Sequence, residues 1–199
     1  MPDRIVLLSG EVEAPHLSGL LCRHNPDLVV DVALDADMLE AAFHKDTAGC
    51  RLIAFLTGVI VPGRLLSRLD GPAYNFHPGS PDYPGSYSAG FAIYDGAETF
   101  GVTLHEMTTR VDAGPIVEVR RFPVSANAKF QNLEMDAFKC VLQMFADYAE
   151  YMATSDVPLP AGVEPWTGRA RTRKEAERLK GIEADLSEAE IVRRYRAFG

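Results

Sequence analysis

Residues 72–96 read PAYNFHPGSPDYPGSYSAGFAIYDG, which predicts a strand, a rigid loop and a helix in succession. PAYNFH at 72–77 has the apolar and aromatic content of a buried strand. Pro78, Pro81 and Pro84 then stiffen the chain, and SAGFAIYDG at 88–96 has helical spacing that ends at Gly96. This order is typical of one unit of a parallel α/β sheet.

The same alternation precedes this unit. Predicted strands lie at 5–9 (IVLLS), 27–34 (DLVVDVAL) and 50–58 (CRLIAFLTG), and predicted helices at 16–24, 36–46 and 62–69. Asp35 is placed to cap the second helix. We therefore predict an α/β fold with a doubly wound, mostly parallel, Rossmann-like sheet.

The pattern changes after Gly96. TFGVTLHEM at 99–107 and GPIVEVRRFPV at 114–124 are both strand-like and are separated only by a turn, so we predict an antiparallel excursion. The segment 130–152 predicts a long helix that packs one apolar face on the core. That face comprises Phe130, Leu133, Phe138, Val141, Leu142, Phe145 and Tyr148.

The chain divides into a main domain at residues 1–155 and a C-terminal part at 156–199. The second part begins with the irregular SDVPLPAG and continues as a connector and a helical extension. TGRARTRKEAERLK at 167–180 predicts a solvated helix. Tyr195 and Phe198 can fold back on the sheet or pack on a second copy, so a homo-oligomer stays open.

Composition and charge narrow the function classes. The 199 residues carry a formal charge of −8, and the nine Lys/Arg and six Asp/Glu of residues 169–199 give +3, which leaves −11 for the rest. Nucleic-acid binding depends on neutralising phosphate charge, so the acidic main part of the chain is predicted to bind tRNA poorly. Without a long apolar run or a cleavable leader, we expect a cytoplasmic protein with no membrane contact. Cys22, Cys50 and Cys140 match no metal spacing.

Asn75 and His77 are the first candidate site residues. Residues two apart on a strand share a face, so both would point into the crevice at the carboxyl end of the sheet while Phe76 faces the core. An amide N–H and a protonated imidazole can both donate to a carbonyl oxygen that gains negative charge. The alternative is that Asn75 caps the loop and His77 binds a backbone carbonyl.

Asp112 and His105 follow in the antiparallel excursion. A carboxylate in the turn VDAG can approach His77, hold it charged, or take a proton through water. The alternative for Asp112 is a turn residue that bonds its own backbone. His105 lies on a strand, and we expect it to shape the crevice.

These residues carry a resemblance. The run NFHPGSPDYPG, continued by SAGFAIYDGAETFGVTLHEMTTRVDAGPIV, resembles the catalytic region of formyltransferases that use 10-formyltetrahydrofolate. The family pattern is matched at Asn75, His77, Pro78, Gly85, Gly101, Thr103, His105, Asp112 and Gly114. The resemblance implies a catalytic domain at 1–155, catalytic roles for Asn75, His77 and Asp112, and support from Pro78, Gly85, Thr103 and His105. It implies 10-formyltetrahydrofolate as co-substrate and no metal.

Two further segments bear on the ligands. LIAFLTGVIVPGRLL at 52–66 resembles the folate-pocket strand and loop of the family, which implies donor contacts from Val59, Val61 and Leu66 beside Asp112. SGEVEAPH at 9–16 places two carboxylates where glycinamide ribonucleotide formyltransferases bind a ribose phosphate. That departure counts against a phosphorylated glycinamide acceptor.

The C-terminal GIEADLSEAEIVRRYRAF resembles the segment that leads into a further domain in methionyl-tRNA and sugar formyltransferases, and this chain ends there. We therefore expect a small primary amine as acceptor, with an amino sugar or sugar nucleotide first. Methionyl-tRNA or glycinamide ribonucleotide formyltransferase activity, formyltetrahydrofolate hydrolysis and non-catalytic folate binding remain alternatives. A serine hydrolase built from Ser88, His105 and Asp112 is a rival from another class.

Overall fold

A computed structural model describes residues 1–199 and contains one six-stranded sheet in the order β2-β1-β3-β4-β5-β6. The strands are β1 (Arg4–Leu8), β2 (Val29–Ala33), β3 (Cys50–Phe55), β4 (Tyr74–His77), β5 (Thr99–Glu106) and β6 (Ile116–Pro123). The helices are α1 (Ala14–His24), α2 (Ala36–Ala42), α3 (Gly63–Leu66), α4 (Ser88–Asp95), α5 (Phe130–Thr154), α6 (Arg173–Lys180) and α7 (Glu188–Phe198). β1 to β4 run parallel to one another. β5 pairs antiparallel with β4, and β6 pairs antiparallel with β5. This topology confirms the predicted fold class.

The sheet has a hydrophobic core on each face. Ile5 and Leu7 of β1 belong to the larger core, while Val6 and Leu8 point to the smaller one, as the alternation of side chains on a strand requires. Helices α1, α4, α5 and α7 cover the larger core, and α2 and α3 cover the smaller. The sheet is therefore doubly wound, as the sequence predicts.

Helix α5 is the main cover of the larger core. Of the predicted apolar face, Leu133, Val141 and Phe145 are buried. The other members, Phe130, Phe138, Leu142 and Tyr148, are half-buried and pack against the same core. The face also contains alanines and methionines, among them Ala137, Ala149, Met144 and Met152. Small and flexible side chains fill the space beneath the helix where larger ones would not fit.

Several predicted elements are shorter than expected, among them the third helix, which is predicted at 62–69 and spans Gly63–Leu66. Helix α2 begins at the cap Asp35, whose side chain accepts a hydrogen bond from Met38 N at 2.8 Å, but it ends at Ala42 instead of continuing to residue 46. Strand β3 ends at Phe55 because Leu56 has a φ of 51°, a left-handed conformation that cannot continue a strand. The loop that follows is thereby turned toward the carboxyl end of β4.

Residues 156–199 pack on the rest of the chain. Leu159 N donates to the hydroxyl oxygen of Tyr74 at 2.8 Å, and Phe198 lies with its ring centroid 5.2 Å from that of Phe91. Phe198 is only 7% exposed, so the end of α7 folds back onto the core, whereas Tyr195 is 65% exposed. The predicted helix at 167–180 is shorter in the structure: α6 begins at Arg173, because residues 167–171 bond to the loop at 81–86 instead. The helix itself is mostly solvated, as predicted, and only its Ala176 is buried. None of the helices is both long enough and apolar enough to cross a bilayer.

Candidate active site

A cavity of about 450 Å³ opens beside the carboxyl ends of β3 and β4. Its volume lies within the range of roughly 300–1,000 Å³ that is usual for small-molecule pockets. Five parts of the chain form its wall: the end of β3 with residues 57–61, the end of β4, residues 85–86, the end of β5 with the turn at 107–112, and residues 170–173. This is the crevice in which parallel α/β sheets bind ligands.

Asn75 and His77 both line this cavity. They share one face of β4, while Phe76 between them is fully buried and packs with its ring centroid 5.0 Å from that of Phe145. The aromatic side chain thus anchors the strand on the core and fixes the direction of its two neighbours. The structure places these three residues as the sequence predicts.

Asp112 faces two N–H donors and two imidazole nitrogens. Its Oδ2 accepts from Gly85 N at 2.7 Å and lies 3.4 Å from His77 Nδ1. Its Oδ1 accepts from Asn75 Nδ2 at 3.3 Å and lies 3.2 Å from His105 Nε2. Burial alone would raise the pKa of Asp112, but the two imidazoles and Gly85 N–H outweigh it and lower that pKa well below its usual range. Asp112 is therefore a firmly held carboxylate and a weak base.

His77 is 5% exposed, and both of its ring nitrogens have partners. Nε2 lies 3.2 Å from the carbonyl oxygen of Tyr83, which can only accept a hydrogen bond. The neutral ring consequently carries its hydrogen on Nε2 and a lone pair on Nδ1, next to Asp112.

The protonation state of His77 differs from the expectation of a charged donor. Burial lowers the pKa of His77, and this effect outweighs the opposing charge of Asp112. The free protein thus favours the neutral imidazole at neutral pH. A proton gained at Nδ1 would lie against the Asp112 carboxylate.

This burial predicts a loss of stability in acid. Because the pKa of His77 is lower in the folded than in the unfolded chain, its contribution is complete above the unfolded pKa of about 6.5 and is lost as pH falls below it. One such group steepens the decline of the unfolding free energy by up to about 1.4 kcal/mol per pH unit. Urea unfolding between pH 8 and pH 5 measures this slope. We expect His77→Asn to flatten it and His16→Asn, at an exposed position, to leave it unchanged; equal slopes in all three proteins would contradict the assignment.

His105 connects Asn75 to Asp112. Its Nδ1 donates to the carbonyl oxygen of Glu106 at 2.7 Å, and its Nε2 lies 3.1 Å from Asn75 Nδ2. The two N–H groups of the Asn75 amide are thus directed at Asp112 and His105. A ligand carbonyl would take one of them from His105.

Of the three residues expected to contact the formyl donor, two line the cavity and one does not. Val59 and Val61 line the cavity and are half-buried. Leu66 does not line it, because it lies at the end of α3 and packs against the smaller core. The assignment of Leu66 to the pocket is therefore corrected to a core position. The apolar part of the wall is completed by Ile60 and Met107, among others.

The expected supporting residues hold the loop between β4 and α4. Thr103 is fully buried and donates to the carbonyl oxygen of Gly79 at 2.7 Å. Gly85 has a φ of 91°, and a Cβ there would clash with the carbonyl oxygen of Arg171, so this position requires glycine. Pro78 stiffens the loop start but does not line the cavity.

Ser88 is buried and does not line the cavity. Its Oγ lies 3.4 Å from His77 Nε2 and donates to the carbonyl oxygen of Gly85 at 3.2 Å. The structure thus pairs Ser88 with His77 and not with His105. A nucleophilic serine has to meet its substrate, so the burial of Ser88 counts against a hydrolase of this kind.

A segment missed by the sequence analysis completes the site. Residues 166–171, which we call the strap, cross the loop at 78–86. Thr167 N and Gly168 N donate to the carbonyl oxygen of Pro81 at 3.1 and 3.0 Å, and Ser86 N donates to that of Arg171 at 2.9 Å. The strap thereby ties the C-terminal part of the chain to the loop that carries Gly85.

Trp166 begins the strap and contacts both imidazoles. Its ring centroid lies 5.0 Å from that of His105 and 6.1 Å from that of His77, in edge-on geometry, and its Nε1 donates to the carbonyl oxygen of Gly114 at 2.8 Å. The one signal available beforehand was that this is the only tryptophan of the chain.

Trp166 provides a direct probe of the imidazoles. A charged imidazolium quenches indole fluorescence at contact distance, so we expect the emission of the folded protein to fall as pH is lowered. His77→Asn should remove or displace this transition, whereas His16→Asn should not change it. A transition unaffected by His77→Asn would show that Trp166 does not report on this ring.

The structure brings together no group of three or more His, Cys, Asp or Glu side chains arranged to hold a metal ion. The polar side chains around Asp112 are the Asn75 amide and two imidazoles, and they contact one another or Asp112.

Comparison with known proteins gives both sequence and fold relatives. A sequence profile described as Formyl transferase matches residues 42–140, which contain Asn75, His77, His105 and Asp112. The chain is 29% identical over 103 residues to methionyl-tRNA formyltransferase of Thermotoga sp. (strain RQ2), covering 51% of this chain and 33% of that protein. It is 30% identical over 96 residues to phosphoribosylglycinamide formyltransferase of Escherichia coli (strain K12), covering 44% of this chain and 45% of that protein. The chain thus spans less than half the length of these relatives.

Solved structures share the fold over nearly the whole chain. A sugar N-formyltransferase from a Shewanella species superposes with a TM-score of 0.76 at 15% identity, covering 99% of this chain and 88% of that one. An N-formyltransferase from Helicobacter canadensis, solved in complex with folinic acid and dTDP-3-aminofucose, superposes with a TM-score of 0.71 at 16% identity, covering 100% and 81%. The profile match over the residues of the site, together with the sequence relatives and the common fold, shows that this chain belongs to the formyl transferase family.

Proposed function

We propose that this protein transfers a formyl group from 10-formyltetrahydrofolate to a primary amine of a small acceptor. The observation that carries the proposal is the convergence of Asn75, His77 and Asp112 at one cavity, within the residues that match the family profile. In acyl transfer to an amine, an amide can donate to the oxyanion, an imidazole can take the amine proton, and a fixed carboxylate can stabilise the imidazolium.

The cavity fits a folate donor in its chemistry. Val59, Val61 and Met107 provide an apolar wall for a flat heterocycle, and the backbone of residues 57–61 supplies polar groups beside it. When bound, the donor supplies a formyl group whose carbonyl carbon is open to attack by an amine. The folinic acid bound by the Helicobacter canadensis relative supports this choice of donor.

The chain's own residues then have distinct roles. Asn75 donates an N–H to the formyl oxygen as it gains negative charge, in place of its contact with His105. The neutral His77 accepts the proton of the attacking amine at Nδ1 through a water molecule. The resulting imidazolium is stabilised by Asp112 at Nδ1 and by the Tyr83 carbonyl at Nε2. A new N–C bond forms, the bond between the formyl carbon and the donor nitrogen breaks, and His77 returns the proton to that nitrogen.

We propose an amino sugar or a sugar nucleotide as the acceptor. The dTDP-3-aminofucose bound by the Helicobacter canadensis relative supports it. The curated relatives include methionyl-tRNA formyltransferases, so a charged tRNA is the second candidate. The formal charge of −11 on residues 1–168 is unfavourable for binding a polyanion of that size.

Turnover with defined amines tests this function. The protein is incubated with 10-formyltetrahydrofolate and a panel of amino sugars, nucleotide-linked amino sugars and aminoacylated tRNA, and tetrahydrofolate, formate and formylated product are measured. We expect tetrahydrofolate and a formylated sugar amine in equal amounts. Formate release that is independent of any amine would indicate a hydrolase, and formylation of the tRNA alone would overturn the acceptor assignment.

A further inference from the structure

The outer part of the cavity is basic although the chain is acidic. Its wall includes Arg110, Arg171 and Arg173, in a protein of formal charge −8. Asp112 is the only carboxylate on that wall, and it is already surrounded by Gly85 N, the Asn75 amide and two imidazoles. The remaining charge of the wall is therefore positive.

Arg171 already has partners within the protein. Its guanidinium lies 3.2 Å from the Asp95 carboxylate and 4.7 Å from the centroid of the Phe91 ring. These contacts fasten the end of the strap to α4. Arg171 thus has a structural partner, which separates it from the other two arginines.

Arg110 and Arg173 have no such partner. Both are exposed, and neither side chain has a carboxylate within 4.0 Å or any hydrogen bond. Most other lysines and arginines of the chain are bonded to a carboxylate or a backbone carbonyl; the exceptions are Lys129, Lys174 and Arg178. Carboxylates outnumber cations here by 28 to 20, yet these two cations on the cavity wall stay unpaired.

We propose that Arg110 and Arg173 together bind an anionic group, a phosphate or a carboxylate, of a ligand whose other end reaches Asn75 and His77. A guanidinium binds both kinds of anion through paired N–H groups. The two arginines come from the turn before Asp112 and from the start of α6, so they are held by separate segments of one wall. The assignment rests on the proposed function. If the anion belongs to the acceptor, the acceptor is an amine that also carries a phosphate. If it belongs to the donor, it is the glutamate of the folate.

Calorimetry with inorganic pyrophosphate tests the arginine pair without turnover. We expect Arg110→Gln and Arg173→Gln each to raise the Kd about ten-fold or more, since each removes one charge-assisted contact. Arg178→Gln is the matched control, because Arg178 is exposed, unpaired and on α6 but does not line the cavity. Failure of the wild type to bind, or equal weakening by Arg178→Gln, would overturn the proposal.

Two further titrations distinguish the sources of the anion. If the donor glutamate occupies the pair, both variants weaken 5-formyltetrahydrofolate but not 5-formyltetrahydropteroate, which lacks glutamate, and pyrophosphate competes with the former. If the acceptor phosphate occupies it, both folates bind the variants as they bind the wild type. Absence of folate binding to the wild type would refute the proposed function but would not affect the pyrophosphate result. Failure of the proposed function and failure of the arginine proposal are therefore distinguishable.

Discussion

Asn75→Ala is expected to lower kcat for formyl transfer by about 10² to 10³, because loss of one hydrogen-bond donor to a developing oxyanion has typically this effect. Donor affinity should change little, since the amide acts on the charge that appears during attack. The measurement is steady-state turnover together with calorimetric titration of 5-formyltetrahydrofolate, a stable isomer of the donor.

Ser86→Ala is the control for this variant. Ser86 lies on the cavity wall and its hydroxyl makes no hydrogen bond in the structure, so we expect near wild-type turnover. Because Asn75 also donates to Asp112, unfolding of Asn75→Ala should be measured in parallel. Full turnover by a folded Asn75→Ala protein would refute the role of the amide.

Asp112→Asn is expected to reduce kcat by about 10² to 10⁴, because it weakens proton transfer by His77 and a general acid–base contribution has this range. Asparagine keeps the shape and tolerates the φ of 42° at this turn position, so the backbone should persist. The variant removes the charge that stabilises an imidazolium at His77. It also places an N–H group where Asp112 now accepts hydrogen bonds from Gly85 or from Asn75.

The pH profile of Asp112→Asn separates this role from a structural one. In the proposed mechanism His77 has to be neutral, so activity falls on the acid side as His77 becomes protonated. Asp112 opposes the effect of burial on the pKa of His77, and its removal lowers that pKa further. The acid limb should therefore move to lower pH, and an acid limb that stays in place would contradict the coupling.

Much of the fold and of the inner site is predicted by local sequence pattern. Alternating apolar runs and helical segments define the parallel sheet, and the spacing of Asn75 and His77 on one strand places both in the crevice. Asp112 reaches them because β5 pairs with β4, which sets Asn75 opposite His105 and brings the following turn over the site. These relations depend on strand periodicity and neighbour pairing, which a sequence carries.

The rest of the site depends on contacts between residues that are distant in sequence. Trp166 reaches His105 only because the strap binds Pro81 and Pro84, and no local pattern in a proline-rich connector indicates that path. Leu66 is expected in the pocket from the sequence, but the single turn of α3 directs it to the smaller core. Its position, too, depends on packing between distant segments. The neutral state of His77 likewise results from burial under residues 79–88, which spacing alone does not describe.

The most direct test of the central claim is calorimetric titration of the wild-type protein with 5-formyltetrahydrofolate. The proposed function predicts binding in the micromolar range or tighter, with Asn75→Ala binding about equally well. Absence of binding to properly folded protein would contradict it, and would mean that Asn75, His77 and Asp112 serve a different ligand.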